Sequence, residues 1–165
     1  DRMHIYGEKL AVITSALMFG LFHGNLSQLF YAFALGLVFG YVYLKTGRLR
    51  YSIGLHMLIN FIGSVVGPFF LEKLAVLDTM ETMDLATLEP ILPWLLGFGA
   101  YVLVLVGLAI TGLVLLCINK RRVSFAPAEL ELPKESRFKT VYVNVGMILL
   151  ILGCAALIIS NVIML

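Results

Sequence analysis

Three polar side chains interrupt stretches that are otherwise apolar. His23 closes the run Phe19-Gly20-Leu21-Phe22-His23, and His56 and Asn60 sit in Leu55-His56-Met57-Leu58-Ile59-Asn60. Residues four apart lie about 40° from each other around a helix, so His56 and Asn60 share a face one turn apart, as do Phe19 and His23. A His and an Asn on one face offer two donors to a carbonyl oxygen that becomes negative during attack, and a second His can hold or deprotonate a water. The constellation is hydrolytic and lacks only a carboxylate base. Polar groups at membrane depth are costly and mark functional sites, although a lone His or Asn there more often serves as a hydrogen bond between helices. All three residues together, in order and in apolar helices, favour the functional reading.

The elements that must position them are membrane helices. Of 165 residues, 61% are hydrophobic and 13% charged, and the mean hydropathy is +0.99. Soluble domains run nearer 45–50% apolar and about 25% charged. Apolar runs of roughly 20 residues, each long enough to cross a bilayer, recur between charged loops. A formal charge of +2 implies no nucleic-acid partner. Cys117 and Cys154 lie inside apolar runs without C-x-x-C spacing and are expected to be buried small hydrophobes. No signal peptide is expected at Asp1, and the chain has the look of a piece of something longer.

Residues 1–9 are polar, with His4 expected at the surface. Residues 10–22 form a first apolar helix covering roughly 20 Å of a core about 30 Å thick, so it can stop inside the membrane. Gly24-Asn25-Leu26-Ser27 makes a turn in which Asn25 and Ser27 cap the next helix. That helix spans 28–44, with Gly36 and Gly40 on one face, and Gly20 and Gly24 are expected to permit a close crossing. Gly47 and three basic residues end it. A third helix, 51–71, carries His56 and Asn60 and is expected to bend near Pro68.

An acidic connector, 72–93, holds Glu72, Asp78, Glu81, Asp84 and Glu89, with a short surface helix expected within it. Residues 94–119 follow, with Trp94 at an interface, then Lys120-Arg121-Arg122, a polar loop 123–141 and a last span 142–165. Asn144, Ser160 and Asn161 are expected to make packing or interfacial contacts. The Lys45–Arg50 turn and the 123–141 loop fall on one side, cytoplasmic by the positive-inside rule, with 72–93 opposite. The expected fold is all-α: a polytopic transmembrane bundle of about five apolar helices, truncated at its N-terminus.

Phe19-x-x-x-His23 followed one helical hairpin later by His56-x-x-x-Asn60 resembles the second and third motifs of the CAAX-protease and bacteriocin-processing (CPBP, or Abi) intramembrane proteases. The surrounding phrases Ser15-Ala16-Leu17-Met18 and Gly54-Leu55 are similar too, and the resemblance covers roughly Met3 to Phe70. It implies that 1–71 is the C-terminal part of a protease core, with 72–93 a connector and 94–165 two additional spans. It also implies catalysis by His23, His56 and Asn60. His23 would help to activate water or bind a metal, His56 and Asn60 would stabilise the oxyanion, and Phe19 would support His23 by packing.

The family's first motif, Glu-Glu-x-x-x-Arg, supplies a glutamate base and does not occur in these residues. Its usual spacing would put it shortly before Asp1, so this stretch alone is expected to be inactive. Relatives have been described both as metallopeptidases and as glutamate proteases. In a metal-dependent reading His23 and His56 would be zinc ligands, although zinc takes three protein ligands plus water. The implied substrate is a membrane-associated peptide or protein, in some relatives a prenylated CAAX tail. The implied setting is an integral, multi-pass protein of the bacterial cell membrane, in contact with lipid. An inactive scaffold or bacteriocin-immunity protein of the same fold is the alternative. A transporter fragment would need a charged pathway across several helices. With both helices starting at the cytoplasmic surface, His56 lies about 9 Å deep, Asn60 about 15 Å and His23 about 20 Å, so a water-filled cavity is required.

Overall fold

The computed structural model describes residues 3–79, 85–130 and 132–164, and every regular element among them is helical. The α-helices are α1 (Glu8–Phe22), α2 (Leu26–Thr46), α3 (Leu49–Phe61), α4 (Gly67–Leu74), α5 (Leu85–Leu88), α6 (Leu92–Asn119), α7 (Lys134–Tyr142) and α8 (Val145–Ile163). Short 3-10 turns cover His4–Tyr6, Ala75–Thr79 and Lys120–Arg122, and Ile62–Val66 is a π-helical turn. Four stretches are long and apolar enough to cross a bilayer: Leu26–Thr46, Leu49–Asp78, Leu92–Arg122 and Val145–Ile163. The chain is an integral membrane protein. The fifth apolar helix, α1, has 15 residues, about 22 Å at the helical rise, and is shorter than the hydrocarbon core.

The chain forms two compact units, Asp1–Leu55 with Phe125–Leu165, and His56–Ser124. In the first, α1 and α2 make an antiparallel hairpin whose contact depends on small residues. A Cβ on Gly36 would come within 2.8 Å of the Ala16 Cα, and one on Gly20 within 2.9 Å of the Leu29 carbonyl. Gly40 lies against Val12. Backbones this close gain dispersion contacts, which in lipid replace the missing hydrophobic driving force. The expected Gly20/Gly24 crossing thus holds at Gly20 only. Gly24, at φ +61, supplies the reversal between the helices.

Both ends of α2 are set locally. Asn25 Oδ1 accepts from the Ser27 N–H at 2.9 Å and the Ser27 hydroxyl at 2.6 Å, and this N-cap starts the helix two residues before the expected 28. Gly47, left-handed at φ 64, ends it with its N–H on the Tyr43 carbonyl. At the open end of the hairpin, Glu8 pairs with Lys45 at 3.2 Å and also accepts the Ala126 N–H at 2.6 Å. The Phe125 ring packs edge-on against Tyr41, and the Leu130 N–H reaches the Ile5 carbonyl. The basic 45–50 turn and the start of the 123–141 stretch therefore sit at the same end of this unit.

That stretch is not all loop. Pro133 occupies the N-cap of α7, whose last residue Tyr142 bonds Thr14 of α1 through its hydroxyl at 2.9 Å. Asn144 then caps α8 by accepting from the Met147 N–H at 3.0 Å, so the last span starts at Val145 rather than at 142. Among the other polar residues expected to make contacts, Asn161 makes a long-range one, to the Gly24 carbonyl.

In the second unit α3 runs into the π turn, where the Gly67 N–H bonds the Ile62 carbonyl five residues back. Pro68 has no N–H to continue an α-helical ladder, and the π turn absorbs that loss before α4 begins. The bend expected at Pro68 takes this form. Tyr101 of α6 donates to the same Ile62 carbonyl at 3.0 Å. α6 packs on α4 through Gly97 against Phe70 and Trp94 edge-on to Phe69. It starts at Leu92 because Pro93 is tolerated in a first turn.

The C-terminal half of α6 exposes its side chains all round, as at Leu108 and Ile118, which is the surface of a lipid-facing span. Cys117 lies there and is exposed, contrary to the expectation, whereas Cys154 in α8 is buried. In the acidic connector, Leu85–Leu88 is helical for a single turn. Glu81, Asp84, Asp1 and the His4 side chain lie outside the described residues.

Candidate active site

His23 follows the last residue of α1, and the geometry of that helix end aims its ring. The final turn tightens to 3-10 hydrogen bonding: the His23 N–H goes to the Gly20 carbonyl at 3.3 Å and the Gly24 N–H to Leu21 at 3.0 Å. The Phe19 carbonyl, which an α-helical bond from His23 would have used, instead accepts His23 Nδ1 at 2.8 Å. A carbonyl oxygen only accepts, so Nδ1 carries the hydrogen and the neutral ring presents its lone pair at Nε2. That is the tautomer a base, a water-binding group or a metal ligand needs.

Phe19 supports His23 in two ways. Its ring meets the imidazole edge-on at 4.9 Å, as the packing role expected of it requires, and meets Phe39 of α2 at 5.8 Å. Its backbone carbonyl fixes the tautomer, a role the side-chain pattern did not announce. Phe19, Phe39 and Ser52 also line an apolar cavity of about 560 Å³ among α1, α2 and the start of α3. Ser52 is buried and donates to the Phe39 carbonyl at 2.8 Å, tying α3 to the hairpin. Sequence reasoning passed over Ser52, though its spacing was a signal: 52, 56 and 60 recur every four residues on one stripe of α3.

His56 and Asn60 lie on the second unit's part of α3. Asn60 Nδ2 stands 3.0 Å from His56 Nε2. An amide nitrogen donates, so Nε2 accepts and the neutral His56 ring carries its hydrogen on Nδ1, the tautomer opposite to that of His23. His23 and His56 are half-buried and Asn60 is exposed. The structure thus joins Phe19 to His23 within the first unit and His56 to Asn60 within the second.

Among the described residues, no three His, Cys, Asp or Glu side chains gather into a group able to hold a metal ion. Two histidines fall short of the three protein ligands of a zinc site, so these residues do not by themselves fit one. Glu8, the acidic residue of the hairpin, is engaged by Lys45 and the Ala126 N–H.

No curated protein and no solved structure matches the chain. A family does match part of it: residues 2–62 fit the type II CAAX prenyl endopeptidase Rce1-like family. The fit takes in both His-bearing pairs and stops at the first residue of the π turn, leaving α4 to α8 outside it. Over residues 2–62, more than a third of its length, this membrane protein is thus similar to the type II CAAX prenyl endopeptidase family.

Proposed function

We propose that the chain supplies the histidine and asparagine part of an intramembrane endopeptidase, which hydrolyses a peptide bond in a membrane-associated peptide or protein. The observation that supports this most is that His23 and His56 of the family-matched segment are each held in a single tautomer by a bond to their own helix, with complementary results. His23, with its lone pair on Nε2, orients the attacking water and draws on its proton. His56, through Nδ1–H, and Asn60, through its second amide hydrogen, donate to the oxygen of the scissile carbonyl as it becomes an oxyanion. Water adds to the carbonyl carbon, the C–N bond breaks, and the departing amine takes a proton.

The Glu-Glu-x-x-x-Arg motif of the family is not among the 165 residues, so the carboxylate base of the family mechanism is not assigned to any residue here. In this reading the Glu8/Lys45 end of the hairpin is cytoplasmic by the positive-inside rule. His23 then acts about 22 Å from that end, where a wetted passage has to reach it. The family's description makes a prenylated C-terminal tail the first substrate to try.

The test is cleavage by the protein expressed from its complete gene, reconstituted into lipid vesicles. The probes are a prenylated CAAX peptide and a membrane-tethered peptide without the prenyl group, with products read by mass spectrometry. Wild type cleaves at least one of them, and His23→Ala and His56→Ala each abolish cleavage while still inserting and folding. Undiminished turnover in either variant would reject the assignment.

A further inference from the structure

We propose that α8 is a working part of the site and that Asn161 is a positioning residue for His23. The Gly24 carbonyl, in a buried turn directly after His23, accepts Asn161 Nδ2 at 2.7 Å. Leu157, one turn earlier on the same face of α8, lies 3.5 Å from where a Gly24 Cβ would stand. Just before α8 begins, Tyr142 at the end of α7 bonds Thr14 of α1 through its hydroxyl. α8 is therefore tied directly to the turn after His23, and through the end of α7 to α1. It lies wholly outside the family-matched residues 2–62.

The Gly24 carbonyl needs such a partner. The chain reverses at Gly24, so no N–H four residues on is placed to receive it, and at membrane depth an unpaired backbone carbonyl is costly. By supplying the donor, Asn161 fixes the plane of the peptide that follows Gly24. That plane holds the tightened last turn of α1. The His23 tautomer depends on this turn, because the tightened backbone that directs the His23 N–H to Gly20 also sets the position from which Nδ1 reaches the Phe19 carbonyl. If the turn relaxes, the ring shifts relative to the Phe19 carbonyl and the bond that holds its proton on Nδ1 is lengthened or lost.

The catalytic arm of the test rests on the proteolytic reading, and the tautomer arm does not. In protein with 15N-labelled histidine in lipid nanodiscs, wild-type His23 shows a protonated Nδ1 and a bare Nε2. Asn161→Leu, close in shape but without an amide, shifts these resonances toward a mixture of tautomers. It lowers kcat 10- to 100-fold, on the scale of a reacting group displaced by about 1 Å, and leaves KM unchanged. Asn161→Gln, which keeps an amide, restores part of both signals. If Asn161→Leu does not insert, Asn161→Ser, too short to span the bond, gives the same readout.

A His23 tautomer and a kcat both indifferent to Asn161→Leu would overturn the inference while leaving the protease standing. A tautomer that moves with Asn161 in a protein that cleaves nothing would uphold the positioning role and remove the proteolytic reading.

Discussion

Asn60 and His56 face each other along one side of α3, with the asparagine amide donating to the imidazole Nε2 at 3.0 Å. The two side chains thus form one hydrogen-bonded unit, in which the asparagine decides which nitrogen of the histidine carries the proton. Removing the asparagine takes away the restraint on the ring and, in the proposed reaction, a donor to the oxyanion. Asn60→Ala is expected to reduce kcat by about 10²–10³, the range for loss of one oxyanion donor. His56→Ala is expected to cost more. The double variant should be scarcely worse than His56→Ala alone, because residues that act together give non-additive losses. Steady-state kinetics on the three proteins decides this, and additive losses would show that the bond is incidental.

The hairpin crossing makes a sharper demand on size than on chemistry. Gly36→Val has to displace Ala16, whose Cα would be only 2.8 Å from the new Cβ, and overpacking of this kind costs about 1–3 kcal/mol. Gly54→Ala, where nothing lies within 4 Å of the added carbon, should be neutral. Unfolding midpoints in mild detergent, compared at equal protein and lipid content, measure the difference. A Gly36→Val protein as stable as wild type would mean that the α1–α2 contact is looser than described.

Much of this was legible in the sequence wherever the cause is local. Asn25 stands two residues before the N–H it caps, and Gly47 ends α2 by its own left-handed turn. The long spans follow from apolar length alone. Features set by distant partners were not legible. Nothing in the spacing of Asn161 connects it to Gly24, 137 residues away, and Thr14 carries no mark of its bond to Tyr142. The helix α7 was hidden in a stretch whose charges and two prolines suggested a loop, although Pro133 is also a residue suited to starting a helix. At the site the spacing put Phe19 and His23 on one helix face, and the family resemblance implied that Phe19 packs against the imidazole, as its ring does. The part played by its carbonyl emerged only from the 3-10 ending of α1.

Glu8 tests whether the hairpin's acidic residue is structural. It joins Lys45 and the Ala126 N–H at the open end of the hairpin, far along α1 from His23. Lys45→Met removes a partly exposed ion pair and should cost at most about 1 kcal/mol. Glu8→Ala should destabilise more, because the Ala126 N–H also loses its acceptor. Glu8→Gln should keep wild-type turnover. Loss of proteolysis in a folded Glu8→Gln protein would instead make Glu8 part of the chemistry.

Tyr101 and the π turn offer a test in the second unit. The tyrosine hydroxyl supplies the Ile62 carbonyl with a second donor besides Gly67. Tyr101→Phe is expected to cost about 1 kcal/mol, the net value of one hydrogen bond. It should also speed amide exchange at residues 62–67 relative to the rest of α3. Exchange rates unchanged there would show that the π turn is maintained by Pro68 and the backbone alone.

The central claim is that this chain takes part in adding water to a peptide bond, with His23 directing that water. Cleavage by the protein from its complete gene, run in 18O-labelled water with the new C-terminal fragment ends read by mass spectrometry, examines it most directly. The account predicts one 18O in the newly formed carboxylate for wild type and no labelled product for His23→Ala. Labelled product from His23→Ala at the wild-type rate would contradict it.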